Sequence, residues 1–274
     1  MTADARRRYW IENMDKATAF MRAATEVPVA ESGERLVDLA AVGGDRFEVA
    51  PSATGELGVA LLRESLVGPF EAFAAALNRR GLVPVVQYAY RSPRMQQELL
   101  TSQKVVDDVI ERVRWECEPG AVTPELAYDR LVVLCANSFM TGTHLAGTAL
   151  DVMVRQMDTG DELDFGGPYL TMSEITPMAS PFVSATVRTN REAIVEAFSD
   201  QGFYPYPFEY WHYSRDDVYG VLLGHDKGPA RHGPVYVDLA SGMPTPVVDP
   251  ARELMPRDDL LDVLAERLRQ LEPR

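Results

Sequence analysis

Residues 141–155 constrain the fold more than any other stretch of the chain. Small residues, TGTHLAGTA, give way there to LDVMV, so a turn feeds a strand, and together they carry a histidine and an aspartate. A second β-rich run, Val83, Val85 and Val86 leading through Tyr88 to Tyr90, predicts a core strand. Around these the apolar spacing is helical. Trp10, Met14, Ala17 and Met21 predict an amphipathic helix over 7–24, and Leu66, Phe70, Phe73 and Leu77 predict one that Ser65 caps and Gly81 ends. Pro93 opens a helix toward Trp115 and Pro124 opens another through Leu134. Thr189 to Gln201 forms a helix stopped by Gly202, and Leu260, Val263, Leu264 and Leu268 mark a last amphipathic helix. Residues 26–62 read as extended segments and loops, 158–181 as a polar loop rich in Gly and Pro, and 203–213 as two short strands with a turn. The sum is an α+β fold, a small antiparallel sheet flanked by helices. Residues 1–225 read as one domain that includes the N-terminal helix, and 226–274 as a Pro-rich arm and C-terminal helix packed on it.

Composition narrows the function. Among 274 residues, 27 Lys and Arg oppose 41 Asp and Glu, a net charge of −14. An acidic chain without a basic cluster is a poor partner for nucleic acid or for an anionic membrane. No apolar run is long enough to span a bilayer. The opening MTADARRRYWIENMD has no apolar core of a secretory signal, which predicts a cytoplasmic protein. Cys117 and Cys135 read as two buried thiols rather than a disulfide. Oligomeric state is open.

The chain has four histidines. His144 and Asp151 bracket a glycine-containing turn, and seven residues across a turn bring two side chains onto one cation. Imidazole and carboxylate are both good zinc ligands, and three protein ligands plus water is the catalytic zinc pattern. The third candidate is His212, three residues after Glu209. In a straight strand those two would face opposite ways, so they share a site only across a bend. Glu209 would then lie near the metal without binding it, placed to move protons. A lone histidine in an apolar strand is ordinarily a satisfied core residue, but each of these stands beside a carboxylate.

The pattern Thr143-His144-x-x-Gly147-x-Ala149-x-Asp151, followed by Glu209-x-Trp211-His212, resembles the zinc D-alanyl-D-alanine peptidases of the hedgehog/DD-peptidase fold, nearest their D-Ala-D-Ala dipeptidase branch. Tyr90-Arg91-Ser92-Pro93, with Gln96 and Gln97 after it, resembles the family's Gly-Tyr-Arg motif. Gly142 and Ala89 depart from the family's Ser and Gly. The resemblance implies one Zn²⁺ per chain held by His144, Asp151 and His212. It implies Glu209 as general base and acid, and Arg91 as the group that steadies the developing oxyanion, with Thr143, Tyr90 and Trp211 contacting substrate. The implied reaction is hydrolysis of a short peptide of the D-Ala-D-Ala type by a metal-activated water. Where the dipeptidases place an Asp that binds the substrate ammonium, this chain has Leu170. Asp164 or Glu174 could replace that acid. Otherwise the substrate is a modified peptide or small metabolite. His225 and His232 match nothing in the family and read as exposed.

Overall fold

The computed structural model describes residues 2–51, 59–117 and 122–271. In chain order the elements are α1 (Ala3–Thr25), β1 (Leu36–Asp38), α2 (Leu39–Val42), β2 (Glu48–Val49), β3 (Leu61–Arg63), α3 (Glu64–Asn78), β4 (Leu82–Tyr88), α4 (Pro93–Thr101), α5 (Gln103–Glu116) and α6 (Pro124–Leu134). A 3₁₀ turn (Thr143–Ala146) follows, then β5 (Leu150–Gln156), α7 (Ala185–Ser199), β6 (Tyr204–Pro205), β7 (His212–Ser214), α8 (Val218–Leu223), β8 (Val235–Val237), β9 (Pro244–Pro246) and α9 (Arg257–Gln270).

The central sheet runs β2-β4-β5-β7-β6. Its pairings are antiparallel except at the edge, where the two-residue β2 lies parallel to β4. β4 and β5 form its buried spine, with Val86, Leu150, Val152 and Val154 at most 2 % exposed. One face packs on α3 and α7 through a line of aromatic rings, Phe70, Phe73, Phe198 and Tyr213. A second apolar cluster joins α5, α6 and α9, and a third joins α1 to α8. The apolar stripes read from the sequence are the buried ones: Trp10, Met14 and Ala17 on α1, and Leu260 and Leu264 on α9.

Three local expectations change. The helix expected from Pro93 to Trp115 breaks at Ser102, whose backbone is extended and whose hydroxyl caps α5 by accepting from Val105 N at 3.3 Å. Ser65 caps nothing, because α3 begins one residue earlier and the Ser65 amide donates to Glu34. Residues 26–62 hold β1, α2, β2 and the start of β3 rather than loop alone, and 52–58 of that stretch lie outside the described residues.

The arm is woven into the body. Ala230 bridges to Val29, Tyr90 Oη donates to Val235 O at 3.0 Å, and Leu36 N donates to Gly242 O at 2.8 Å. His232, expected to be exposed, is 1 % exposed: its Nδ1 lies 3.1 Å from Ser32 Oγ, and burial beside the Arg63 charge pushes its pKa down to about 4. His225 is exposed as expected. At this junction Arg63, itself fully buried, ties four segments together. Its guanidinium donates to Ala146 O (2.7 Å), Glu34 O (2.6 Å), Glu31 Oε2 (3.1 Å) and Gly233 O (3.4 Å).

Candidate metal centre and catalytic cavity

Strand pairing brings the candidate ligands together. Asp151 on β5 and His212 on β7 are direct cross-strand partners, so their side chains leave the same face side by side. His144 arrives from the 3₁₀ turn just before β5. That turn closes on Gly147 at φ +69°, a left-handed position where a Cβ would also sit 2.4 Å from Leu36 Cδ2, so both backbone and space require glycine. The bend needed to bring Glu209 and His212 to one site is present. Tyr206 N donates to His212 O at 2.8 Å, and the residues between them turn back on themselves.

The three side chains are almost fully buried, at 6 %, 2 % and 4 % exposure for His144, Asp151 and His212. Asp151 Oδ1 is 3.2 Å from His144 Nε2 and 3.1 Å from His212 Nδ1, and the three ligand atoms all lie within 4.8 Å of one another. Tetrahedral ligands about 2.0–2.1 Å from a zinc ion stand roughly 3.3 Å apart, so these spacings suit one cation. Proton bookkeeping agrees. His144 Nδ1 lies 2.8 Å from Ala89 O, which only accepts, so Nδ1 carries a hydrogen and Nε2 is the atom left to face Asp151 Oδ1. Two such atoms in contact need a proton or a cation between them. His212 has partners behind it as well: its outer Nε2 is 3.2 Å from both Thr143 Oγ1 and Ser214 Oγ, and Nδ1 faces the centre.

Burial would push the Asp151 carboxyl up, but the two imidazoles beside it prevail and hold it well below the usual range. Burial lowers the His212 pKa, against the opposing pull of Asp151. Glu209 Oε2 lies 3.8 Å from His212 Nδ1, and burial, reinforced by the Asp151 charge, pushes the Glu209 carboxyl up to about 8. Arg91 is 9 % exposed. Its guanidinium lies 3.6 Å from Asp151 Oδ2, donates to Gln96 Oε1 at 2.9 Å, and covers the Tyr88 ring at 4.8 Å. Gln96 is held in turn by Ala136 O.

These groups share a cavity of about 60 Å³. Its lining includes Thr143, His144, Asp151, Glu209, Trp211, His212 and Arg91, together with Met21, Leu99, Leu134, Cys135 and Leu170. Tyr90 is not brought to it: the Tyr90 hydroxyl is spent on the arm at Val235 O. Thr143 lines the cavity while its hydroxyl backs His212. Both cysteines are free thiols, but only Cys135 is buried, and Cys117 is half-buried at the end of α5. Sequence reasoning missed Tyr169. Its hydroxyl donates to Asp151 Oδ2 at 2.6 Å and its ring meets Trp211 edge-on at 5.5 Å. The one trace in the sequence is its place beside Leu170.

A sequence profile of the D-Ala-D-Ala dipeptidases (Peptidase_M15) matches residues 60–221, which hold all five residues from Arg91 to His212 named above as ligands or polar catalytic candidates. The D-alanyl-D-alanine dipeptidase of Enterococcus faecium is 31% identical over 113 residues, 39% of this chain and 56% of that one. The enzyme of that name from Enterococcus faecalis (strain ATCC 700802 / V583) is 24% identical over 110 residues, 38% of this chain and 54% of that one. The chain thus spans about half the length of the curated relatives it matches. Among solved structures, a VanB-type vancomycin-resistance D,D-pentapeptidase, VanY, in complex with Zn(II) aligns with a TM-score of 0.38 at 14% identity, over 74% of this chain and 91% of that one. With the profile covering more than half of its residues, the chain belongs to the D-Ala-D-Ala dipeptidase family, Peptidase_M15.

Proposed function

We propose that the protein is a zinc-dependent peptidase that hydrolyses a short peptide of the D-Ala-D-Ala type. The observation that carries this is the convergence of His144, Asp151 and His212 on one point inside a buried cavity, with Glu209 and Arg91 on its wall. Those three side chains would hold one Zn²⁺, and when bound it supplies Lewis acidity to the scissile carbonyl and to the attacking water. Glu209 is the proton carrier. Its raised pKa suits a carboxylate that takes the proton of water at Oε2 and returns it to the leaving nitrogen. Arg91 offers several donors in a fixed fork. Its guanidinium, held by Gln96 and stacked on Tyr88, faces the charge that develops on the carbonyl oxygen. Trp211 and Thr143 border the substrate.

A second reading concerns the far end of the substrate, and Leu170 favours it. Among the described residues lining the cavity, the carboxylates are Asp151 and Glu209, both committed to chemistry. Asp164 is exposed and accepts from Gly166 N at 2.8 Å. Glu174 is 2.6 Å from Arg6 and 3.4 Å from Arg112. Neither lines the cavity, so no acid is spare for an ammonium, and an unpaired charge in a desolvated pocket costs several kcal/mol. The preferred substrate is therefore an acylated, extended or otherwise modified peptide. Bound-metal analysis combined with a panel of D,D-dipeptides, L-dipeptides and N-acylated dipeptides tests both readings. Stoichiometric zinc with D,D-hydrolysis supports the first, and faster turnover of acylated members supports the second. A protein without zinc or peptidase activity overturns both.

A further inference from the structure

The two oxygens of Asp151 face different company. Oδ1 meets the two imidazole nitrogens at 3.2 and 3.1 Å. Oδ2 meets Tyr169 Oη at 2.6 Å and the Arg91 guanidinium at 3.6 Å. A carboxylate left to itself binds a cation through one oxygen or through both. The tyrosine hydroxyl fills Oδ2 with a short donor. We infer that Tyr169 is a positioning residue for the metal centre, restricting Asp151 to a single-oxygen ligand through Oδ1. A one-oxygen aspartate and two imidazoles make three ligands, which leaves the fourth position free for water and substrate. This inference rests on the zinc reading proposed above.

The structure invests heavily in placing that hydroxyl. Tyr169 lies in the long segment between β5 and α7, which no strand or helix orders. Arg191 on α7, 2 % exposed, holds that segment from inside by donating to Phe165 O (3.0 Å), Ile175 O (2.9 Å), Pro177 O (2.9 Å) and Met178 O (3.2 Å). The Arg191 guanidinium stacks on Tyr210 at 4.2 Å, and the Tyr210 hydroxyl lies 2.7 Å from both Gly167 O and Pro168 O, immediately before Tyr169. Just after it, Leu170 takes a left-handed backbone, φ +64°, a conformation a leucine adopts only under constraint. The chain thus turns sharply between a residue aimed at the metal ligand and one aimed into the cavity, so one loop serves both metal and substrate.

The test is Tyr169→Phe, which removes one oxygen and keeps the ring on Trp211. Wild-type zinc affinity is measured first by chelator competition, and a wild type that takes no zinc overturns the zinc reading itself before the variant is made. In the variant, zinc should bind 10- to 100-fold more weakly, the usual consequence of losing a partner of a ligand. The visible spectrum of the cobalt-substituted protein should change as Asp151 is released to use both oxygens. Zinc affinity and a cobalt spectrum identical to wild type overturn the inference. Trp211→Phe separates positioning from packing, because it loosens the same ring contact and leaves the hydroxyl in place. Equal loss of zinc and an equal spectral change in both variants would make Tyr169 a packing residue and also overturn the inference.

Discussion

The lining of the cavity is built on two different principles. The metal wall rises from strands in register: β5 and β7 pair Asp151 with His212, and the turn ahead of β5 delivers His144. Its polar atoms have partners that fix their direction, such as Ala89 O behind His144 and Thr143 and Ser214 behind His212. The apolar wall comes from α1, the ends of α4 and α6, and the loop carrying Leu170, and it presents Met21, Leu99, Leu134, Cys135 and Leu170. It offers shape and apolar contact but no charge. The contrast teaches that sheet geometry places the candidate ligands, whereas helices and a loop, elements that tolerate change more readily, supply the apolar lining.

The largest effect should come from damage to the metal wall. His212→Ala leaves two ligands, so zinc content by elemental analysis should fall from one per chain to near zero, with all turnover lost. Full zinc occupancy in that variant breaks the assignment. Glu209→Gln should separate proton transfer from metal binding, keeping zinc near one per chain while kcat drops on the order of 10²-fold or more, because the amide cannot accept a proton. Loss of zinc together with activity would make Glu209 a ligand or prop instead.

Acid should dissolve the same wall at a lower pH than free imidazole would suggest. Burial depresses the His212 pKa, so its neutral, metal-binding form persists below the ordinary value of 6.5. Zinc affinity, followed by chelator competition across pH, should hold to below that value and then fall by about tenfold per unit as a ring protonates. A fall that begins above pH 7 contradicts the environment described for His212. The smallest effect belongs to the apolar wall. Leu170→Asp should raise kcat/KM for free over N-acetylated dipeptide by about tenfold, or roughly 1.4 kcal/mol. Aspartate tolerates a left-handed backbone better than leucine does, so the exchange adds no strain. A wild type that already strongly prefers the free amine erases the difference between the walls.

The metal wall was legible because its residues are close in sequence or sit at positions the motif spacing fixes. His144 and Asp151 flank one turn, and Glu209 and His212 share one bend, so spacing nominated these residues and the resemblance to the family's motifs supplied their roles. The stripes of α1 and α9 were legible for the same local reason. What escaped depends on partners far along the chain. Tyr169 meets Asp151 only because a buried arginine on α7 folds the intervening loop inward. His232 is buried by Ser32 and Arg63, which belong to segments with no periodic signal. The break at Ser102 was local yet hidden, since a serine inside a helical pattern declares itself a cap only when the backbone turns there.

Arg63 has a consequence in time as well as in space. Its guanidinium holds Ala146 O, two residues beyond His144, in the same grip as Gly233 O in the arm. A ribosome makes the metal-bearing turn long before it makes Gly233, so the nascent turn emerges without one of the carbonyls that fix its mooring. Metal capture by the finished chain should outpace capture by a chain halted before residue 230, and the arm acts as the last clasp of the site.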